Sequence, residues 1–322
     1  MPSIGLFERD HASAMSDRNA SFLDHGSAWD REARTMDALH HRRGLRIILR
    51  TLAVVAIIAC GVTLGASDGF AQGQAGTVKL EWLSWSFFRF TSPNGKVILT
   101  NPFMAGNPDA AVTLGDITRA DLVLVPNGHR DEIGQAADIA KKTGARTVSP
   151  FELGTWFMGK GVPEAQVLRR NPGGRLVWEG ITIRVVGSIH GSGSGQAADS
   201  DLAPIYGGAA AGFVITFENG WTVYFPGSSM ATRDMADWGA MYKPDAMIFL
   251  MHPTQEPKDA ALAVKHVMTD NPNLKTLIPH HHRVTPPAGA TTIAEVRAAL
   301  DALGVNIPIT NPIRGQVYEF RK

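Results

Sequence analysis

The sequence predicts an α+β fold, a four-layer αββα sandwich in which two mixed sheets pack face to face under outer helices. Strand-like segments joined by tight turns lie near both ends of the region after residue 77, and strands alternate with helices between them. Tight turns build antiparallel sheet and strand–helix alternation builds parallel sheet, so both sheets are expected to be mixed. Such sheets bury one face against each other and the other face under helices.

The first half of this region alternates strands and helices. Strands are expected at Val78–Leu83, Phe87–Thr91, Val97–Leu99, Asp121–Val125 and from Thr147, and helices at Ile133–Lys142 and Phe151–Lys160. Pro93-Asn94-Gly95 marks a turn between the second and third strands. The continuous apolar run before Pro126 indicates a strand buried on both faces. Gly144 and Gly161 are expected to end the two helices.

The second half opens with alternating apolar strands and ends with strand–helix pairs. Strands are expected at Gly180–Val186, Gly212–Phe217, Trp221–Phe225, Ala246–Met251 and Leu274–Ile278, and helices at Pro257–Thr269 and Thr292–Leu303. The Asn219-Gly220 pair predicts a tight hairpin between the second and third of these strands.

Composition and charge exclude several classes of protein. The chain has 322 residues, of which 44% are hydrophobic and 19% charged, which is ordinary for a globular domain. Lysine and arginine total 31 against 30 acidic residues, so no strong field attracts nucleic acid, and no nucleic-acid partner is expected. Cys60 is the single cysteine, which excludes an intramolecular disulfide and a cysteine-rich zinc module. A metal would have to be held by His, Asp, Glu or Asn.

Residues 1–71 are interpreted as an N-terminal extension with a signal peptide or membrane anchor, and residues 72–322 as one folded domain. Four arginines between residues 42 and 50 precede an uncharged stretch of 17 residues, Thr51–Ser67, and then Gly69-Phe70-Ala71. This order is typical of a secretory signal peptide cleaved after Ala71. The alternative is an anchor over residues 47–67. Met36 is an alternative start. The expected location is the periplasm or cell envelope, with membrane contact only through this segment.

Six histidines follow, or lie beside, the ends of predicted strands. They are His129, His190, His252, His280, His281 and His282, whereas His266 falls inside a predicted helix and is expected at the surface. Strand ends are where α/β sheets place ligand-binding loops, and imidazole is the commonest metal ligand among side chains. The six side chains are therefore expected to meet in one cleft.

Five segments carry a resemblance to a known superfamily. They are Asn101–Pro108 (NPFMAGNP), Asp121–Glu132 (DLVLVPNGHRDE), Ile189-His190, Gly212–Phe217 and Leu277–His281. In this order they resemble the metallo-β-lactamase-fold superfamily, in particular its branch of small metal-dependent hydrolases related to ascorbate-phosphate lactonase. The resemblance covers about residues 78–285. It implies the αββα sandwich, one or two zinc, manganese or iron ions, and a metal-bound hydroxide that attacks an ester, lactone, amide or phosphodiester.

The metal motif of that superfamily is eroded in this chain. Its first motif reads His-x-His-x-Asp-His, and the corresponding residues here are Asn127, His129, Asp131 and Glu132. The third and last histidines of the superfamily correspond to His190 and His281, and its bridging aspartate to Ser228. Asn101 and Trp85 also replace residues that are usual there, an aspartate and a histidine.

These replacements reduce the site that the resemblance implies. A neutral serine cannot bridge two cations, so at most one divalent ion is expected, with zinc preferred over manganese or iron. The implied ligands are His129, His190, His281 and one or both of Asp131 and Glu132, with Asp131 as general base. Five further residues are accessory candidates: Asn127, Ser228, His252, His280 and His282. The resulting prediction is an exported hydrolase that cleaves a small ester or lactone.

Other interpretations remain open on the sequence alone. Asp131 would cap the next helix, Glu132 would be a first-turn acid, and His280–His282 would be an exposed loop. The domain would then be a non-catalytic envelope protein that binds a small ligand. A third reading makes Ser229 the nucleophile of a turn at Gly227–Ala231, but the preceding hairpin disfavours it. The glycine-rich segment 191–195 lacks the lysine that a phosphate-binding loop requires. It indicates a flexible lid over residues 192–208.

Overall fold

The computed structural model describes residues 76–193 and 206–322. The N-terminal extension with the proposed signal peptide or anchor, and most of the proposed lid over residues 192–208, lie outside the described residues. Among the described residues, no helix combines the length and apolar character needed to cross a bilayer.

Thirteen strands and six helices make up the described part of the chain. The strands are β1 Val78–Ser84, β2 Phe87–Thr91, β3 Val97–Thr100, β4 Leu122–Leu124, β5 Arg146–Ser149, β6 Val167–Arg169, β7 Arg175–Trp178, β8 Ile181–Gly187, β9 Ala211–Thr216, β10 Thr222–Phe225, β11 Ala246–Leu250, β12 Thr276–His280 and β13 Val317–Phe320. The helices are α1 Arg130–Ile133, α2 Ala136–Thr143, α3 Phe151–Gly159, α4 Asp234–Tyr242, α5 Pro257–Met268 and α6 Ile293–Ala302. A single 3₁₀ turn covers Glu164–Gln166.

The strands form two mixed sheets. The first has the order β13-β1-β2-β3-β4-β5-β6, antiparallel up to β3 and parallel from β3 to β6. The second has the order β12-β11-β10-β9-β8-β7, parallel from β12 to β10 and antiparallel beyond. The candidate residues lie at or just after the carboxyl ends of five strands, β4, β8, β10, β11 and β12.

Three apolar layers hold the elements together. Phe88 and Phe90 of the first sheet pack against Phe225 and Phe217 of the second, with ring centroids 6.5 and 5.8 Å apart. The outer face of the first sheet packs on α2 and α3, and the outer face of the second on α4, α5 and α6. Side chains alternate between layers, as the two-residue period of a strand requires. The α+β, four-layer αββα sandwich is therefore confirmed.

Two predicted elements differ from the observed ones by more than one residue. The helix expected over Ile133–Lys142 is wrong as one element, because the chain forms α1, breaks at Gly134 and restarts as α2. Gly134 has φ +46°, and a Cβ there would overlap the Pro102 carbonyl and lie 2.6 Å from the nitrogen of Phe103. The last strand of the second sheet, β12, is two residues later than expected and includes His280. The strands β6, β7 and β13 had no sequence-based counterpart.

Candidate functional site

The candidate residues meet at one edge of the two sheets. Asn127–Glu132 follow β4, His190 follows β8, Ser228 follows β10, and His281 follows β12. The turn between β1 and β2 brings Trp85 to the same edge, where its carbonyl accepts the backbone N–H of His281 at 3.0 Å. Loops from both sheets thus supply the site.

The loop after β4 positions His129. The side-chain oxygen of Asn127 accepts the backbone N–H of His129 at 3.0 Å, and His129 is the N-cap residue of α1. Asn127 is fully buried, and its amide nitrogen has no hydrogen-bond partner among the described residues. Asn127 therefore shapes the loop and carries an unpaired donor at the floor of the site.

His129 and His190 form a close pair. His190 Nε2 lies 3.1 Å from His129 Nδ1, and the ring centroids are 4.8 Å apart at 74°. Burial lowers the pKa of His190, and the neighbouring imidazoles of His129 and His281 lower it further. The charge of Glu132 raises it, but by less than burial lowers it. His190 is therefore a neutral donor or ligand at this end of the site.

A close contact between Gly128 and Gly207 fixes the segment that carries His190. Gly193 and Tyr206 pair antiparallel, and the Gly207 N–H donates to the Ser192 carbonyl at 2.6 Å. Ser192 also accepts the backbone N–H of Gly128 on its hydroxyl at 3.2 Å. A Cβ on Gly207 would lie 2.6 Å from the Ser192 carbonyl oxygen and 3.0 Å from the Cα of Gly128. Only glycine allows this approach beside His129.

Asp131, Glu132 and Ser228 surround His281. His281 Nε2 lies 3.3 Å from Glu132 Oε1 and 3.6 Å from Asp131 Oδ2. The Ser228 hydroxyl donates to Glu132 Oε1 and lies 3.3 Å from His281 Nε2. Glu132 is 1% exposed and His281 3%, so these two side chains are closed to bulk water, whereas the Asp131 side chain is partly exposed.

Trp85 contacts both Asp131 and His281. Its indole N–H donates to Asp131 Oδ2 at 2.8 Å, and its ring centroid lies 5.1 Å from that of His281. Trp85 and His281 have φ of +55° and +63°, a region that residues other than glycine rarely adopt. Strained backbone of this kind persists where the surroundings impose it, which is common at functional sites.

The charges in this group support one another. Burial acts to lower the pKa of His281, but the charge of Glu132 and hydrogen bonds to Asp131 and Glu132 raise it to about 9. Burial acts to raise the pKa of Asp131, but the hydrogen bond and charge of His281, with the hydrogen bond from Trp85, bring it well below its usual range. Without another cation, His281 is thus the positive charge between two carboxylates.

The other two histidines of the triplet are buried, so the interpretation of His280–His282 as an exposed loop is wrong. His280 Nδ1 lies 2.7 Å from His281 Nδ1, and His282 stacks on Trp82 with ring centroids 4.4 Å apart. Burial takes the pKa of His280 well below its usual value and lowers that of His282 to about 4. Both rings are therefore neutral, and the His280 ring packs against that of His281, with centroids 4.7 Å apart.

Two sequence interpretations of neighbouring residues are also wrong. Asp131 does not cap α1, because His129 is the N-cap residue and Asp131 is occupied by Trp85 and His281. The Ser229 hydroxyl accepts the backbone N–H of Ile189 at 2.9 Å and donates to the Met230 carbonyl at 2.8 Å. Ser229 therefore ties two loops together, which does not suit a nucleophile. Glu132 does lie in the first turn of α1, but it is buried.

The donors suit one divalent ion in chemistry, although they are not gathered around one point. Glu132 Oε2 is buried without a hydrogen-bond partner, and three imidazoles and a second carboxylate lie in the same site. Nitrogen and oxygen donors of this kind suit zinc, manganese or iron. As they stand, however, no three His, Cys, Asp or Glu side chains within 76–193 and 206–322 are arranged to hold an ion. His281 would first have to lose its proton.

Sequence reasoning missed several residues that build the site. It noted Trp85 as a replacement but gave no sign that its indole would hold Asp131. It placed Ser192 in a lid and not as the residue that joins Gly128 to Gly207, and it gave no role to Thr254, whose backbone N–H donates to His252 Nδ1 at 3.2 Å. These contacts span long separations along the chain or depend on ring orientation, and no local pattern reports them.

Comparison with known proteins agrees with the fold. No family model matches the chain. A curated relative from Koribacter versatilis, named as a UPF0173 metal-dependent hydrolase, is 33% identical over 211 residues, which cover 65% of this chain and 86% of that protein. One of the same name from Thermodesulfovibrio yellowstonii is 34% identical over 226 residues, covering 67% and 82%.

Solved structures show the same architecture. Igni18, described as a novel metallo hydrolase from Ignicoccus hospitalis, superposes with a TM-score of 0.61 at 26% identity, covering 76% of this chain and 99% of that one. The metallo-β-lactamase fold protein YhfI from Bacillus subtilis superposes with a TM-score of 0.54 at 13% identity, covering 76% and 100%. Sequence and architecture agree: the chain belongs to the UPF0173 metal-dependent hydrolase family, within the metallo-β-lactamase fold superfamily.

Proposed function

We propose that this chain is a hydrolase with a degenerate site that holds at most one divalent ion, zinc in preference to manganese or iron. His129, His190 and His281 would hold the ion, with Asp131 or Glu132 as the oxygen donor. The observation that carries the proposal is the second oxygen of Glu132, which is buried and unpaired beside this donor set. An unpaired buried carboxylate oxygen is costly, and a cation would satisfy it.

The side chains support hydrolysis in distinct ways. A divalent ion, when bound, supplies Lewis-acid polarisation of a substrate oxygen and lowers the pKa of water. Asp131 is kept ionised by His281 and Trp85, so it accepts a hydrogen bond from water and orients it. Because its pKa is so low, Asp131 is a weak proton acceptor, and orientation is its main role. The proposed substrate is a small ester or lactone.

A second function has one observation in its favour. Glu132 and His281 already form a buried ion pair in which the imidazolium supplies the positive charge. A domain that keeps this pair would bind a small molecule in the cleft without hydrolysing it. The loss of a bridging carboxylate at Ser228 also suits this alternative.

Metal analysis and one pair of variants separate the two functions. Protein purified without a histidine tag and reconstituted with Zn²⁺ or Mn²⁺ is expected to retain close to one ion per chain. His190→Ala is expected to lose most of this metal and the hydrolysis of p-nitrophenyl acetate and γ-butyrolactone. His190 is exposed, so the variant should fold. His266→Ala, in α5, is the matched control and should retain both properties.

Two outcomes would favour the binding protein. The first is a metal content far below one ion per chain after reconstitution. The second is unchanged ester turnover in His190→Ala, which would assign that turnover to another site or to a contaminant.

We further propose that the protein works in the periplasm or cell envelope. The support is the order of basic, apolar and small residues before residue 72. Expression of the full chain is expected to give a mature protein in the periplasmic fraction that begins at Gln72. Retention of residues 47–67 in a membrane fraction would indicate the anchor instead.

A further inference from the structure

His252 lies at the site but outside the set of ion ligands. It follows β11, and the backbone N–H of the preceding residue, Met251, donates to the His280 carbonyl at 2.9 Å. The imidazole therefore lies beside His281, with ring centroids 6.4 Å apart, and meets Trp85 edge to face at 5.8 Å. His252 is half-buried, so part of the side chain is accessible from solvent.

Hydrogen bonds set the tautomer of His252. The Thr254 backbone N–H donates to His252 Nδ1 at 3.2 Å, and the Thr254 hydroxyl lies 2.9 Å from the same atom. A backbone N–H can only donate, so Nδ1 must be the acceptor. In the neutral ring the proton is then on Nε2. His252 Nε2 has no hydrogen-bond partner among the described residues.

The loop that carries His252 is braced on several sides. The Gln255 N–H donates to the His252 carbonyl at 2.9 Å, and the Thr291 N–H donates to the Pro253 carbonyl at 3.0 Å. The side chain of Gln255 donates to Asp259 at 2.9 Å. These bonds hold the Nε2–H donor in place before any ligand arrives, which is the condition for electrostatic stabilisation of a developing charge.

We propose that His252 Nε2–H is the hydrogen-bond donor that receives the carbonyl oxygen of an uncharged acyl substrate, an ester or a lactone. The inference rests on the proposed hydrolytic function and adds a residue to it. A neutral imidazole can polarise a carbonyl group in this way, because it donates a hydrogen bond without giving up its proton. The bond strengthens as the carbonyl oxygen becomes an oxyanion, and no proton is transferred.

The kinetic test compares a variant that keeps an N–H donor with one that does not. His252→Leu is expected to lower kcat for p-nitrophenyl acetate and γ-butyrolactone by about 10²–10³-fold, with a much smaller change in KM. His252→Gln places an amide N–H near the position of Nε2 and should recover most of this loss. His266→Leu is the matched control and should behave as wild type. Equal kcat in wild type and His252→Leu would overturn the proposal.

A second measurement does not depend on turnover. ¹⁵N NMR at neutral pH is expected to show His252 with a protonated Nε2 and a bare Nδ1, and γ-butyrolactone should perturb the Nε2 signal. If wild type hydrolyses nothing but this perturbation appears, the hydrolytic function fails and the carbonyl donor remains. A proton on Nδ1, or an Nε2 signal indifferent to the lactone, would overturn the inference itself.

Discussion

The contact between Glu132 and Ser228 shows how two single residues set the charge of the site. Ser228 is a neutral hydroxyl that donates to a carboxylate with 1% exposure, and His281 lies within 3.3 Å of both side chains. A second carboxylate at residue 228 would face the first without water to screen it. The neutral hydroxyl therefore avoids a second charge beside the buried Glu132 side chain.

A change of Ser228 to aspartate tests this arrangement. In the presence of a chelator, Ser228→Asp is expected to lower the free energy of unfolding by about 2–4 kcal/mol more than Ser228→Asn, which has the same shape but no charge. Urea denaturation of both variants measures the difference. Similar stability of the two would mean that a second carboxylate beside Glu132 carries no penalty, contrary to this prediction.

Tyr224 gives a residue-scale prediction away from the site. Its hydroxyl is buried under α4 without a hydrogen-bond partner among the described residues, and burial, with the charge of Asp234, raises its pKa well above the usual value. Above about pH 10 the unfolded chain loses this proton while the folded chain retains it, so stability should fall as the pH rises.

Replacing that hydroxyl should remove the alkaline loss. Tyr224→Phe is expected to raise the free energy of unfolding by about 1 kcal/mol at neutral pH and to flatten its decline above about pH 10. Denaturation at several pH values measures both effects. Tyr206→Phe, at a 65% exposed residue, is the control and should change neither. An unchanged pH profile in Tyr224→Phe would show that other groups dominate.

At the scale of the element, the break between α1 and α2 gives the site its shape. Because the chain turns at Gly134, Asp131 and Glu132 belong to a separate short helix, from which Glu132 and Asp131 both reach His281. The Gln135 side chain accepts the backbone N–H groups of Met104 and Ala105 and so holds the turn against the loop after β3.

Substitution of that glycine should disturb both fold and site. Gly134→Ala is expected to cost about 2–4 kcal/mol, because a Cβ there meets the Pro102 backbone in addition to the unfavourable φ. Gly144→Ala, also at positive φ but with open space around it, should cost about 1 kcal/mol. Thermal or urea unfolding measures the two. Equal losses would mean that backbone conformation alone, without the Pro102 contact, explains the requirement for glycine.

The break at Gly134 also shows which structural features the sequence does not predict. The apolar pattern placed β1, β2 and β9 within one residue of their observed bounds, because strand alternation is a local property. Gly134 looked like an ordinary helical residue, because the backbone that excludes a side chain comes from Pro102, far away along the chain. The short strands β6, β7 and β13 complete sheet edges through pairing with distant strands, which their own residues do not report.

The candidate site was predictable to a similar extent. The sequence indicated that loops after several strands would meet, and His129, Asp131, Glu132, His190 and His281 do lie at one sheet edge. It did not indicate that His281 would be engaged by two carboxylates or that Trp85 would hold Asp131. Those contacts depend on side-chain direction across loops from different sheets.

At the scale of the whole molecule, the site depends on the packing between the two sheets. Phe225 contacts Phe88 of the opposite sheet and lies 5.1 Å, centroid to centroid, from the ring of His280. The inter-sheet core therefore extends to the base of the histidine triplet. A cavity in this core would loosen the support of His281 as well as the fold.

Phe225→Ala tests that dependence. The variant is expected to lose about 3–5 kcal/mol of unfolding free energy, because a fully buried ring is removed from between the sheets. Phe151→Ala, at a 49% exposed ring on the outside of α3, should lose less than about 1 kcal/mol. Chemical denaturation compares them. A small loss in Phe225→Ala would mean that the sheets can close the gap.

The contact between Gly128 and Gly207 has a consequence for the spacing of His129 and His190. One glycine precedes His129, and the other belongs to the strand-like segment paired with the one that carries His190. The separation of the two rings is thus governed by a pair of residues that contribute no side chain. A methyl group added at either residue would push the two imidazoles apart without altering either of them.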